Sequence, residues 1–127
     1  MRCRLLILLL LIISTSIATG AEEGSGSAGS PNGAVATSEN TDKALKIAGL
    51  VAFVANSCQD LIPDYEVFKI VISSLGFETS DLSKSDLRVK YLNYTGIYQK
   101  DITGNCTKAW AMFGDEGTMF KGLFHHK

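Results

Sequence analysis

Few residues in this chain have the type and spacing to do chemistry, and those that do point to a secretory compartment. Cys58 and Cys106 form the first pair. A third cysteine, Cys3, lies in the N-terminal apolar leader, so removal of that leader would leave two. An even pair in an oxidising compartment predicts a disulfide. It would close a loop of about fifty residues, which loop entropy makes worth about 4 kcal/mol. Asn93-Tyr94-Thr95 and Asn105-Cys106-Thr107 are N-glycosylation sequons, and either glycan would mark exposed surface. Asn93 is the better acceptor, because a bridge at Cys106 would crowd Asn105. His125 and His126 are adjacent, but no third and fourth ligand stand at a metal-binding spacing. Their place at the end of the sequence predicts poor order. At mildly acidic pH they would become positive.

The sequence therefore predicts no metal, no cofactor and no catalytic group. With both histidines terminal, a serine or cysteine nucleophile has no well-held base. Asp60, Asp64, Asp115 and Glu116 read as ordinary acids at helix ends. No glycine-rich phosphate loop is present.

Residues 21–40 are rich in Gly, Ser, Ala and Asn and lack apolar periodicity, which predicts a disordered acidic tail. Within it, Glu22-Glu23-Gly24-Ser25-Gly26-Ser27 places a serine before glycine and behind acids. This segment resembles the acceptor on which glycosaminoglycan chains are built in proteoglycan cores. The resemblance covers these few residues and implies Ser25 as an attachment site for a chondroitin-type chain. It is not repeated: Ser27 precedes Ala28 and Ser30 precedes Pro31. The plainer reading is a solubilising linker.

The leader itself has the three parts of a secretory signal. Arg2 and Arg4 precede the apolar run Leu5 to Ile13, and small residues from Ser14 to Ala21 follow. Cleavage after Gly20 or Ala21 fits both sets of small residues. The apolar run is far shorter than the ~20 residues that span a bilayer. Ala44 to Ala55, the best later candidate, is short and interrupted by Lys46. The ending Phe124-His125-His126-Lys127 has no hydrophobic tail of the kind a lipid anchor needs. The expectation is a secreted, extracellular protein that is not integral to a membrane.

The net charge is −1, from twelve basic and thirteen acidic residues. The leader holds two of the basic residues and no acid, so its loss would take the net charge to −3. The balance excludes a nucleic-acid binder, which needs a basic excess.

What must position these residues is one small domain, residues 41–127. Asn40 or Thr41 can cap a helix over 42–60, where Ile47, Val51, Val54 and Cys58 recur at helical steps. Most of its circumference is apolar, so it belongs near the centre. Pro63, Asp64 and Glu66 predict a second helix start, and Gly76 its stop. The β-branched run Val67, Ile70, Val71 and Ile72 is also a strand signal, but the helical face prevails. Ser83 and Asp86 are spaced as a capping box, ahead of the stripe Leu87, Tyr91, Tyr94 and Tyr98. Thr103-Gly104-Asn105 reads as a turn. A last helix carries Ala109, Trp110 and Phe113, with Gly114 and Gly117 breaking it before further helical residues to Lys127.

The expected fold is all-α: a small bundle of about four short helices with one disulfide linking the end of the first to the start of the last. The cluster Trp110, Met112, Phe113, Met119, Phe120 and Phe124 reads as core, with a partner- or lipid-binding surface as its alternative. The function expected is a non-catalytic secreted glycoprotein that binds an extracellular protein or glycan. The proteoglycan core is one alternative. The other is a defence or effector protein with membrane-active helices at 44–55 and 118–127, against which the near-neutral body stands.

Overall fold

The computed structural model describes residues 36–127; the leader, Ser25 and the other residues up to Val35 lie outside the described residues. Thr37 opens the first element. Its hydroxyl accepts a 3.1 Å bond from the Asn40 amide, which starts α1 (Ser38–Ser57) three residues ahead of the expected Thr41 boundary. The ion pairs Glu39–Lys43 and Asp42–Lys46, each one helical turn apart, line its exposed side. The rest of its circumference is buried from Ala44 to Val54, with Phe53 and Val54 fully so. α1 is the central helix that its composition predicts.

The all-α expectation needs one correction. β1 (Leu61–Pro63) pairs antiparallel with β2 (Phe124–His126), in the register Leu61↔His126, Ile62↔His125 and Pro63↔Phe124. The expected helix from Thr118 to Lys127 is therefore absent. Gly122 takes φ +76°, the left-handed region that breaks a helix. The Asp64 amide then holds the Leu123 carbonyl at 2.8 Å, and Leu123 and Phe124 are fully buried.

Pro63 belongs to β1, and the cap of α2 (Tyr65–Ser74) is Asp64, whose carboxylate accepts from the Glu66 and Val67 amides. Proline thus stands two residues before the helix rather than at its first position. Gly76 is the stop: at φ +87° its amide bonds the Ser73 carbonyl while the Phe77 amide bonds that of Ile72. This paired closure is a Schellman motif.

A 3₁₀ turn at Asp81–Ser83 precedes α3 (Ser85–Tyr98). The Ser83–Asp86 capping box does not form; α3 follows Lys84 with no side-chain cap. Asp81 takes the local donors instead, the Glu78 amide and the Lys84 ammonium.

A second 3₁₀ turn, Gln99–Asp101, leads into α4 (Ile102–Phe113). Residues 103–105, read as a turn, are the first turn of this helix, because the Asp101 carboxylate caps the Gly104 amide at 2.9 Å. Cys58, just past the end of α1, bonds Cys106 near the start of α4, with 5.7 Å between their Cα atoms. The domain is thus a helical core with one disulfide and a short antiparallel ladder. Among the described residues no helix is long and apolar enough to cross a membrane.

Candidate functional site

Two helical stripes face a common cavity. On α1, Lys43, Lys46, Ile47 and Leu50 stand at i, i+3, i+4 and i+7; on α4, Asn105, Lys108, Ala109 and Met112 repeat that spacing. Each stripe begins with polar or cationic residues and ends with apolar ones. Leu75, Tyr98 and Phe113 add to the walls, and the segment after α4 contributes Met119 and Phe120. The cavity volume is about 470 Å³, within the range of about 300–1,000 Å³ usual for small-molecule sites.

The segment carrying Met119 and Phe120 is folded back onto α4 by backbone bonds. The Met119 amide reaches the Met112 carbonyl at 2.9 Å and the Gly122 amide reaches that of Gly114 at 2.8 Å. Gly117 makes this return possible, since a Cβ there would stand 2.6 Å from the Met112 carbonyl oxygen. Phe120 then stacks on Phe113, with ring centroids 6.1 Å apart. Met119 remains 57% exposed, an apolar side chain at the mouth.

The Tyr98 hydroxyl and the Asn105 amide nitrogen of the walls both have backbone partners. The Tyr98 hydroxyl donates to the Lys46 carbonyl, and burial pushes its pKa up. Asn105 Nδ2 donates to the Tyr98 carbonyl at 2.8 Å. Among the described residues no buried side-chain nitrogen or oxygen lacks a partner. Of the three lysines, Lys43 pairs with Glu39 at 2.6 Å and Lys46 with Asp42 at 2.7 Å; the Asp42 hydrogen bond raises the Lys46 pKa. Lys108 makes no ion pair among the described residues.

The histidines are placed quite differently from the sequence expectation. Both lie in β2, and both are held. His125 sits between two carboxylates, with Nδ1 2.8 Å from Asp115 and Nε2 3.4 Å from Asp64. His126 packs its ring against Trp110 at 4.1 Å between centroids, beside the disulfide. Asp64 is held below its ordinary 3.8, first by the Val67 amide, then by the Glu66 amide and His125. With both ring nitrogens of His125 on carboxylates, neither is left to activate a nucleophile. Among the described residues no group of three or more His, Cys, Asp or Glu is arranged to hold a metal ion.

The sequons fall on helices. Asn93 is exposed on α3, while Thr95 of the same sequon is buried. Asn105 is half-buried, its amide nitrogen engaged and its neighbour Cys106 bridged. Ser25 lies outside the described residues. Of the expected cluster of aromatic and methionine residues, Phe113 and Phe124 are core and Trp110, Met112 and Phe120 pack against it; Met112, Phe113, Phe120 and the exposed Met119 also line the cavity. Sequence reasoning missed the cavity. Its trace is the lysines placed at helical steps from apolar residues on α1 and α4. No family model, curated protein or solved structure matches this chain.

Proposed function

We propose that this bundle of four short helices is a small secreted, non-catalytic binding module of the extracellular space. Its ligand is a small molecule held in the cavity between α1 and α4. The cavity carries the reading: about 470 Å³, walled by aliphatic and aromatic side chains, with ammonium groups among its lining. Such a volume, with a few polar groups fixing orientation, suits a ligand site. The groups bordering it favour holding over turnover, since none is a paired acid and base or an activated nucleophile.

The compartment rests on the sequence. The leader, the sequons at Asn93 and Asn105 and an even cysteine pair all suit an oxidising lumen. A lumen of this kind also holds the enzymes that would build a glycosaminoglycan chain on Ser25.

The test uses the full chain expressed in a secreting cell. The protein should appear in the medium without its first 20 or 21 residues, and a neutral apolar fluorophore, N-phenyl-1-naphthylamine, should bind it at one site per chain. Retention in the cell with the leader intact would overturn the compartment. Absence of saturable fluorophore binding would overturn the cavity as a ligand site.

A further inference from the structure

We infer that the cavity takes a free single-chain anionic amphiphile, a fatty-acid-type monocarboxylate, with Lys108 meeting its headgroup. This rests on the reading of the cavity as a ligand site. Three observations select the class.

The first is the interior. Ile47, Leu50, Ala109, Met112 and Phe113 offer apolar surface, and the polar wall groups Tyr98 and Asn105 already have backbone partners. A sugar or nucleotide entering here would lose its water bonds and find few replacements, a cost that a hydrocarbon chain does not carry. The Met112 and Met119 side chains, unbranched and polarisable, adapt to a flexible chain better than to a rigid ring.

The second is charge. The lining holds three lysines and no carboxylate. Glu39 and Asp42 neutralise Lys43 and Lys46 from the exposed side of α1, and Lys108 alone of the three lacks an acidic partner among the described residues. One uncompensated ammonium matches one negative charge. Its stem can lie along the apolar wall while its head stays at the mouth. No arginine contributes the planar fork that suits a phosphate's paired oxygens.

The third is size. A site of about 470 Å³ falls in the lower part of the small-molecule range and fits one chain better than the two of a bilayer lipid. The ligand is therefore a free acid taken from solution, and the module is a carrier of it.

The experiment displaces N-phenyl-1-naphthylamine from the secreted full chain with decanoate, octanoate, decanol and decyltrimethylammonium, each below its micelle concentration. Decanoate should bind one per chain and displace best. Removing two methylenes should weaken binding on the order of ten-fold, since each buried methylene is worth about four-fold. Lys108→Glu should weaken decanoate about three- to ten-fold and leave decanol unchanged, with Lys108→Arg retaining affinity. Thermal melts of both variants should match the parent, which separates a headgroup role from a folding defect. Equal displacement by decanol and decanoate, or indifference to Lys108→Glu, would overturn the anionic class and leave the ligand cavity standing. Binding to phosphatidylglycerol vesicles in preference to free decanoate would overturn the carrier. If no amphiphile displaces the fluorophore, this inference fails alone. If the fluorophore itself does not bind and the chain is a dimer that protects Met119 from oxidation, both readings fail together.

Discussion

The Thr95 hydroxyl donates a 3.0 Å hydrogen bond to the Gly49 carbonyl, joining α3 to α1. A Cβ on Gly49 would stand 2.6 Å from both the Tyr91 carbonyl oxygen and the Tyr94 Cβ. The neighbours are backbone and the root of a side chain, so they cannot swing away. The absence of a side chain at Gly49 lets α3 lie against α1, and the hydroxyl of Thr95, itself buried, fixes the depth of the crossing.

Gly49→Ala should therefore destabilise the fold even though alanine is the better helix former. Overpacking costs about 1–3 kcal/mol, against a propensity gain of about 1 kcal/mol, and contacts this close belong at the upper end. Gly96 on α3 is the control, since a methyl group there would have nothing within 4 Å. Gly96→Ala should gain about 0.5–1 kcal/mol. Thermal melts of the two variants should move in opposite directions, and a common direction would contradict the close approach at Gly49.

The same Thr95 is the third residue of the Asn93 sequon, and in the folded chain its hydroxyl is buried against Gly49. A transferase that must reach this hydroxyl meets it before α3 packs on α1. Asn93 should thus be glycosylated on the nascent chain and resist modification once folded. Asn93→Gln should remove the glycan with little change in stability, because Asn93 is exposed. Thr95→Val should remove the glycan and also cost about 1 kcal/mol for the lost hydrogen bond. Intact mass and chemical denaturation of the two variants, each compared with deglycosylated parent, separate the effects.

Reduction of Cys58–Cys106 should cost about 4 kcal/mol, because the bridge closes across 48 residues of separation and its loss frees that loop in the unfolded chain. Such a loss is a large share of the roughly 5–15 kcal/mol typical of whole domains. Cys58→Ala with Cys106→Ala should melt well below the oxidised parent, and addition of a reductant should leave its melt unmoved. A parent whose melting point ignores reductant would show that α1 and α4 are held by packing alone.

Local patterns in the sequence foretold much of this architecture, while contacts between distant residues did not. The apolar circumference of α1, the Gly76 stop and the cysteine pair follow from residue types at short spacing, and each is present. The ladder of β1 with β2 has three residues a side, too few for an alternation to be seen. Its consequence was the larger error: His125 reads as a loose end, yet pairing with Ile62 and contact with Asp115 and Asp64 fix it. Capping explains the shifted boundaries: Thr37 caps α1 in place of Asn40 or Thr41, and Asp64 caps α2, which leaves Pro63 in β1 rather than at the first helical position. The cavity needs Lys43, Lys108 and Met119 in one place, and no periodicity within a single helix brings together residues so far apart in the chain.

Part of the acid limb of stability should run through Asp64, alongside Glu39, Asp42 and Asp81, whose carboxylates are also held below their ordinary values. In the folded chain its carboxylate is held below its ordinary 3.8, chiefly by the Val67 amide, with the Glu66 amide and His125 adding to it. A carboxylate whose folded pKa is depressed contributes stability that is fully present above the unfolded value and is lost as pH falls through the folded one. Asp64→Ala should accordingly melt below the parent at neutral pH, and the gap should close below the ordinary value of 3.8 as the parent's carboxylate takes up its proton. His125→Gln should shift that limb less, because the backbone amides at the cap outrank the imidazole. Thermal melts of the three proteins from neutral to strongly acidic pH decide it. A larger effect from His125→Gln than from Asp64→Ala would make the Asp115–His125–Asp64 contact, rather than the α2 cap, the acid-sensitive element.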